Sequence, residues 1–143
     1  MQNAVTENYM GKLKNDALKK RFEDREIPAV LEKMPEDLRR LLENTKAYIN
    51  SLGDEVSVNE AQRYYSYKRL GKAFAVVIPD RTRVIINLLV DSETVEIDNY
   101  FTRDLKDKLS YGSKNLRLQV FVRNDEQFEK AKNYMMQAYK ECR

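Results

Sequence analysis

The stretch 63–90, RYYSYKRLGKAFAVVIPDRTRVIINLLV, constrains the fold more than any other part of the chain. It holds three short runs rich in aromatic and β-branched residues, 64–68, 73–78 and 83–90. A glycine turn, Leu70-Gly71-Lys72, separates the first two, and Pro79-Asp80 separates the second from the third. Runs of this length and composition divided by turn residues predict a three-strand antiparallel meander. The second and third runs are apolar at nearly every position, so both faces of those strands are expected to be covered. The covers are expected from the amphipathic segments on either side.

Downstream of the meander, 116–123 alternates cleanly. Leu116, Leu118, Val120 and Val122 share one face, and Arg117, Gln119, Phe121 and Arg123 the other, as in a strand with one buried side. A helix is predicted from Asp125, with Asn124 as its N-cap and Gln127 three residues on in a capping-box-like arrangement. Between these parts, 94–98 reads as a short fourth strand or an extended lead. Residues 101–109 read as a short helix, because Phe101, Leu105 and Leu109 recur every four residues.

Upstream, 1–26 reads as a weakly amphipathic helix with a basic face interrupted by Asp16, Glu23 and Asp24. Ile27-Pro28 is expected to end it, leaving 27–34 as a linker with a few apolar anchors. The next helix is well signalled. Pro35, Glu36 and Asp37 suit its start; Leu38, Leu41, Leu42, Thr45, Tyr48, Ile49 and Leu52 form its stripe; Gly53 is read as the left-handed residue that stops it. After it, 53–62 reads as a short extended lead into the meander. The expected fold is α+β, an antiparallel sheet of four to five strands with the meander at its centre, flanked by helices in the order α-α-β-β-β-(β)-α-β-α. Residues 1–34 are read as an arm and linker, and 35–143 as one domain.

Composition narrows the chemistry. The chain has no histidine, which removes Ser-His and Cys-His catalysis and every histidine-based zinc site. Its single cysteine, Cys142, has no internal disulfide partner. No apolar run approaches the roughly 20 residues that span a bilayer, and no secretory signal is visible, so a cytoplasmic protein without membrane contact is expected. No cofactor or metal is expected. The acidic residues Asp91, Glu93, Glu96 and Asp98 could suggest a metal site, but read more simply as a solvated turn and strand edge. The net charge of +3 is unevenly spread: 1–60 carries 10 Lys/Arg against 12 Asp/Glu, and 61–143 carries 16 against 11. The sheet-forming part is the basic part, which fits a weak preference for phosphate, well below the charge density of a dedicated DNA-binding domain, and equally fits a solvated mixed-charge surface.

Two groups of residues qualify as binding candidates. Arg63, Tyr65, Tyr67, Lys68, Arg69 and Lys72 combine aromatic rings with cations along one strand, as sheet platforms for single-stranded nucleic acid do. The same tyrosines also fit a structural use, packed against a helix with their hydroxyls at the rim. Arg103, Tyr111, Ser113 and Lys114 flank a loop near strand ends and suit an anion pocket, while Arg103-Asp104 equally suits a structural pair. No catalytic constellation is visible.

Three passages carry a family resemblance: Tyr48-Ile49-Asn50-Ser51-Leu52-Gly53; Arg63-Tyr64-Tyr65-Ser66-Tyr67-Lys68 with Lys72-Ala73-Phe74; and Arg103-Asp104-Leu105 leading to Tyr111-Gly112-Ser113. Over about residues 36–141 the chain resembles a small bacterial domain of unknown function. That domain occurs at the C-terminal end of so-called predicted transport proteins and beside restriction-type or nuclease-like domains. Where that family has a His-Trp-Gly core, this chain has Ser110, Tyr111 and Gly112. The resemblance implies an accessory domain in systems that handle DNA, with a defensive role. Together these readings make a non-catalytic nucleic-acid-binding module the leading expectation. A protein-interaction or homodimerisation module is the alternative, and an enzyme using tyrosine, lysine or carboxylate groups comes last.

Overall fold

The computed structural model describes residues 16–18, 20, 23–91, 93–105 and 116–143. Among these, six strands form one antiparallel sheet: β1 (Val56–Glu60), β2 (Tyr65–Arg69), β3 (Lys72–Pro79), β4 (Val84–Leu88), β5 (Thr102–Asp104) and β6 (Leu118–Val122), in the spatial order β1-β2-β3-β4-β6-β5. The helices are α1 (Ile27–Lys33), α2 (Glu36–Asn50) and α3 (Asp125–Glu141). The α+β class and the central meander β2-β3-β4 stand as expected. The strand number is six, not four to five.

Both added strands come from segments that carry weak local signals. β1 lies in the stretch expected as an extended lead, and its partner β2 completes its ladder. β5 falls where a helix was expected over 101–109. Thr102, Arg103 and Asp104 pair with Val120, Gln119 and Leu118 instead, so ladder hydrogen bonds override a three-leucine-type spacing. Residues 106–109 of that expected helix lie outside the described residues. The stretch 94–98 forms no strand.

Two corrections concern helix ends. The stretch 27–34 is not a linker but α1: Pro28 sits in its first turn, where a missing N–H costs nothing, and so starts the helix that it was expected to exclude. Its Ile27, Val30 and Met34 are buried in the main core. Of the helix expected over 1–26, residues 16–18, 20, 23 and 24 are helical, and most of the rest lie outside the described residues. At the end of α2, Ser51 is the cap in a right-handed conformation, its N–H reaching the carbonyls of Ala47 and Tyr48 and its Oγ donating to Tyr48 O at 2.6 Å. Gly53 is not left-handed; among the described residues those with positive φ are Leu70 (51°) and Gly71 (82°), which build the tight β2–β3 hairpin. The cap of α3 forms as expected, with Asn124 Oδ1 accepting from Gln127 N–H at 2.9 Å and Gln127 Oε1 accepting from Arg123 N–H at 2.8 Å.

Side-chain alternation sorts the sheet into two unlike faces. Tyr65, Tyr67, Ala75, Val77, Val84, Ile86, Leu88, Leu118, Val120 and Val122 join the buried helix residues in one core, so α1, α2 and α3 all cover the same face. A bulge opposite Tyr67 and Lys68 adds Phe74 to that face, where its ring meets Tyr139 of α3 edge-on at 5.7 Å. Each fully buried Leu, Ile, Val or Phe contributes about 1.5–3 kcal/mol relative to exposure, so this face holds most of the stability. On the opposite face Val76 packs with Leu105 and Leu116 in a separate small cluster. Leu116 therefore leaves the alternation expected for 116–122. Helical covers on both faces were expected, and among the described residues they lie on one.

Candidate nucleic-acid interface

Antiparallel partners project to the same side, so the ladder register defines which side chains stand on the face that carries no helix among the described residues, the helix-free face. One row runs Asn59, Ser66, Val76, Asn87, Gln119, Arg103 across all six strands, its four middle members buried and only Asn59 and Arg103, at the two edges, exposed. A second holds Ile78, Ile85 and Phe121, extended at the β2 end by Tyr64, which packs on the same small cluster as Ile78. Lys68 stands beside the first row, opposite Ser57. Among the described residues, none of the strand positions on this face is Asp or Glu. Four cations do stand there: Lys68, Arg83, Arg103 and Arg123.

Local geometry fixes two of them. The Arg83 guanidinium lies 4.1 Å from the centroid of the Phe121 ring, and Arg123 approaches the same ring at 5.8 Å. The plane turned outward over Phe121 is therefore a guanidinium, which stacks on bases as an aromatic ring does. Arg83 also sits 3.9 Å from Asp80, a half-exposed ion pair. Arg103 and Arg123 are exposed, and Lys68 is half-buried. From β2 to β5 the face spans four strand spacings, about 19 Å. In its middle Gln119 Nε2 donates to Asn87 Oδ1 at 2.9 Å, and Gln119 Oε1 is buried without a hydrogen-bond partner.

The structure divides the sequence candidates. Lys68 and Arg103 share the helix-free face. Arg69 and Lys72 face the other way: the Arg69 guanidinium lies 4.1 Å over the Tyr139 ring and Nη1 donates to Tyr139 O at 2.8 Å, capping the C-terminal end of α3. Arg63 stands at the far end of the sheet in a cleft of about 610 Å³ with Arg25, Arg81, Asp24 and Asp80. Tyr111, Ser113 and Lys114 lie outside the described residues. Tyr65 and Tyr67 are buried beneath α2, with Lys46 Nζ 4.2 Å from the Tyr65 ring centroid. A base reaches neither ring without parting helix from sheet, so these two take the packing role.

Tyr67 takes that role at a cost, since its hydroxyl is buried without a partner. Burial, followed by the influence of Tyr65, Glu43 and Glu60, holds its phenol well above the usual value, and burial raises Tyr65 likewise. A raised folded pKa means that the associated stability is full below the ordinary tyrosine value of about 10 and is lost as pH rises through the folded value. Tyr67→Phe removes an orphaned hydroxyl and one titrating group. It is expected to leave stability at pH 7 unchanged or raised by up to about 1 kcal/mol, and to blunt the alkaline loss above pH ~10. Urea melts at pH 7 and pH 11 check both; a loss of more than ~1 kcal/mol at pH 7 would show that the hydroxyl is satisfied.

Arg83, Arg123 and Phe121 completed the face without having been candidates. The signal for Phe121 and Arg123 lay in the alternation of 116–123, which grouped Arg117, Gln119, Phe121 and Arg123; Arg83 had none. The acidic residues 91–98 do not converge. Asp91 accepts from the Glu93 N–H, and Asp98 pairs with Lys130 at 3.5 Å. Among the described residues no three His, Cys, Asp or Glu side chains are grouped as a metal ion needs, and no helix is long and apolar enough to cross a membrane. The larger cleft, about 710 Å³ between 95–99 and α3, lies on the helix side, its wall pinned by Tyr134, whose hydroxyl donates to Glu96 O and accepts from Asp98 N–H.

No curated protein and no solved structure matches the chain significantly. A family described as "Domain of unknown function (DUF5655)" matches residues 27–141, a span that opens at the first residue of α1 and closes at the last residue of α3. With the sheet and all three helices inside that match, the chain belongs to the DUF5655 domain family.

Proposed function

We propose that this chain is a non-catalytic accessory module that binds single-stranded nucleic acid on the helix-free face of its sheet. The observation that carries the reading is the placement of Lys68, Arg83, Arg103 and Arg123 on one sheet face whose described strand positions include no Asp or Glu, with Phe121 and Tyr64 among them. Cations spaced over about 19 Å follow a phosphate backbone, and the Arg83–Phe121 stack offers a planar surface to a base. The interface is rebuilt relative to the expectation from sequence: Lys68 and Arg103 remain in it, while Tyr65 and Tyr67 serve the core, Arg69 caps the helix end, and Lys72 stands exposed on the opposite face. In keeping with the family resemblance, the module serves an effector such as a nuclease in a defence system.

The test is fluorescence anisotropy of a labelled single-stranded oligonucleotide titrated from about 20 to 300 mM salt. With four phosphate contacts, log K is expected to fall against log salt with a slope of about −3. Absence of binding at the lowest salt would remove the reading.

A further inference from the structure

The two edges of the sheet are protected very differently. β5 has three residues, of which Arg103 and Asp104 are charged, and a short charged edge resists further pairing. β1 has five residues, VSVNE, with no Lys, Pro or bulge, and its one charge lies at its end. Val58, at its centre, is 49% exposed.

The direction of its free backbone groups follows from the hairpin. Ala61 N–H donates to Tyr64 O at 2.9 Å, so 61 and 64 are a hydrogen-bonded pair. Antiparallel ladders alternate, which makes 59/66 and 57/68 hydrogen-bonded pairs as well. Val56, Val58 and Glu60 therefore turn their main-chain groups away from β2, with only the Val56 N–H engaged, by Gly53 O at 3.3 Å.

We infer that two copies of this chain join edge to edge along β1, antiparallel, about a two-fold axis at Val58. In that register Val58 meets Val58, Ser57 meets Asn59 and Val56 meets Glu60, with about four new main-chain hydrogen bonds. Glu55 falls opposite Ala61 and Asp54 opposite Gln62, so no like charges face each other. The strand is self-complementary, which is what selects a second copy as its occupant over an unrelated extended peptide. The axis stands perpendicular to the sheet and places both helix-free faces on one side. The inference stands on the edge alone and does not require nucleic-acid binding.

Sedimentation velocity without nucleic acid, from about 1 µM to 1 mM, tests it. The mass is expected to double with concentration, and Val58→Lys, which sets two ammonium groups face to face, is expected to weaken the dimer at least tenfold with thermal unfolding of the protomer unchanged. Val58→Cys provides the second readout. A hydrogen-bonded antiparallel pair holds its Cα atoms about 5.5 Å apart, within disulfide reach, and the chain's own Cys142 is fully buried. Oxidation is expected to give a covalent dimer, and this decides the question should Val58→Lys not fold. Monomer mass at every concentration would overturn the inference, as would a dimer that Val58→Lys leaves intact and Val58→Cys does not cross-link.

Discussion

Replacing Lys68, Arg103 and Arg123 together by glutamate is expected to reduce affinity for a single-stranded oligonucleotide at low salt by about 100-fold or more. Each position exchanges a phosphate contact for a repulsion, and unit charges at contact distance in water are worth about 1 kcal/mol, so three sites give several kcal/mol. The three side chains are exposed or half-buried, and Arg123 approaches Phe121 only at 5.8 Å, so the fold is expected to survive. A matched variant separates the face from bulk charge. Lys33, Arg39 and Lys140 are exposed on the helices, and changing these three to glutamate alters net charge by the same amount. It is expected to cost less than about threefold. Equal losses in the two variants would mean that any binding is a net-charge effect without a site.

The largest expected effect on stability comes from Gly53→Ala. A Cβ at this position would stand 1.9 Å from Tyr139 Oη and 2.7 Å from its Cζ. The ring cannot simply swing away: Phe74 meets it edge-on, Arg69 stacks over it, and its hydroxyl donates to Glu55. Overpacking of this kind costs about 1–3 kcal/mol, to be read from urea denaturation. Tyr139→Leu shortens the side chain, so Gly53→Ala is expected to cost at least ~1 kcal/mol less in that background. The same hydroxyl hydrogen bond is the first cause that holds the Glu55 carboxyl below its usual range. Its contribution is present above the ordinary carboxylate range and fades as pH falls through the lowered value. Additive costs in the double variant would place the strain elsewhere.

These two results also show where the residues spoke for themselves. The meander was legible because β-branched runs, a Gly turn and a Pro-Asp turn agree locally with the ladder they enter. So was α3, whose Asn124 cap is a local hydrogen bond. β1 and β5 were hidden because strands rich in polar or charged residues gain their stability from the partner strand, β2 across a hairpin for β1 and β6 further along the chain for β5. Gly53 was rightly singled out for the wrong reason, since what demands a hydrogen there is a ring 86 residues further along the chain, Tyr139. In the site, Lys68 and Arg103 were legible as cations on strands. The burial of Tyr65 and Tyr67 against a helix was one of the two uses the residues allowed, and the choice waited on the structure because alternation alone does not say which face the helices take. Arg83 joined the site through a stack on Phe121 that only the β4–β6 pairing creates.

The central claim is that the helix-free face, not the helical one, is the recognition surface. Backbone amide chemical shifts followed during titration with a single-stranded oligonucleotide at low salt test it most directly. The account predicts the largest changes at Lys68, Ile85, Arg103, Phe121 and Arg123, with α2 and α3 little affected. Changes concentrated on the helices, or on the 95–99 cleft beside Tyr134, would contradict it.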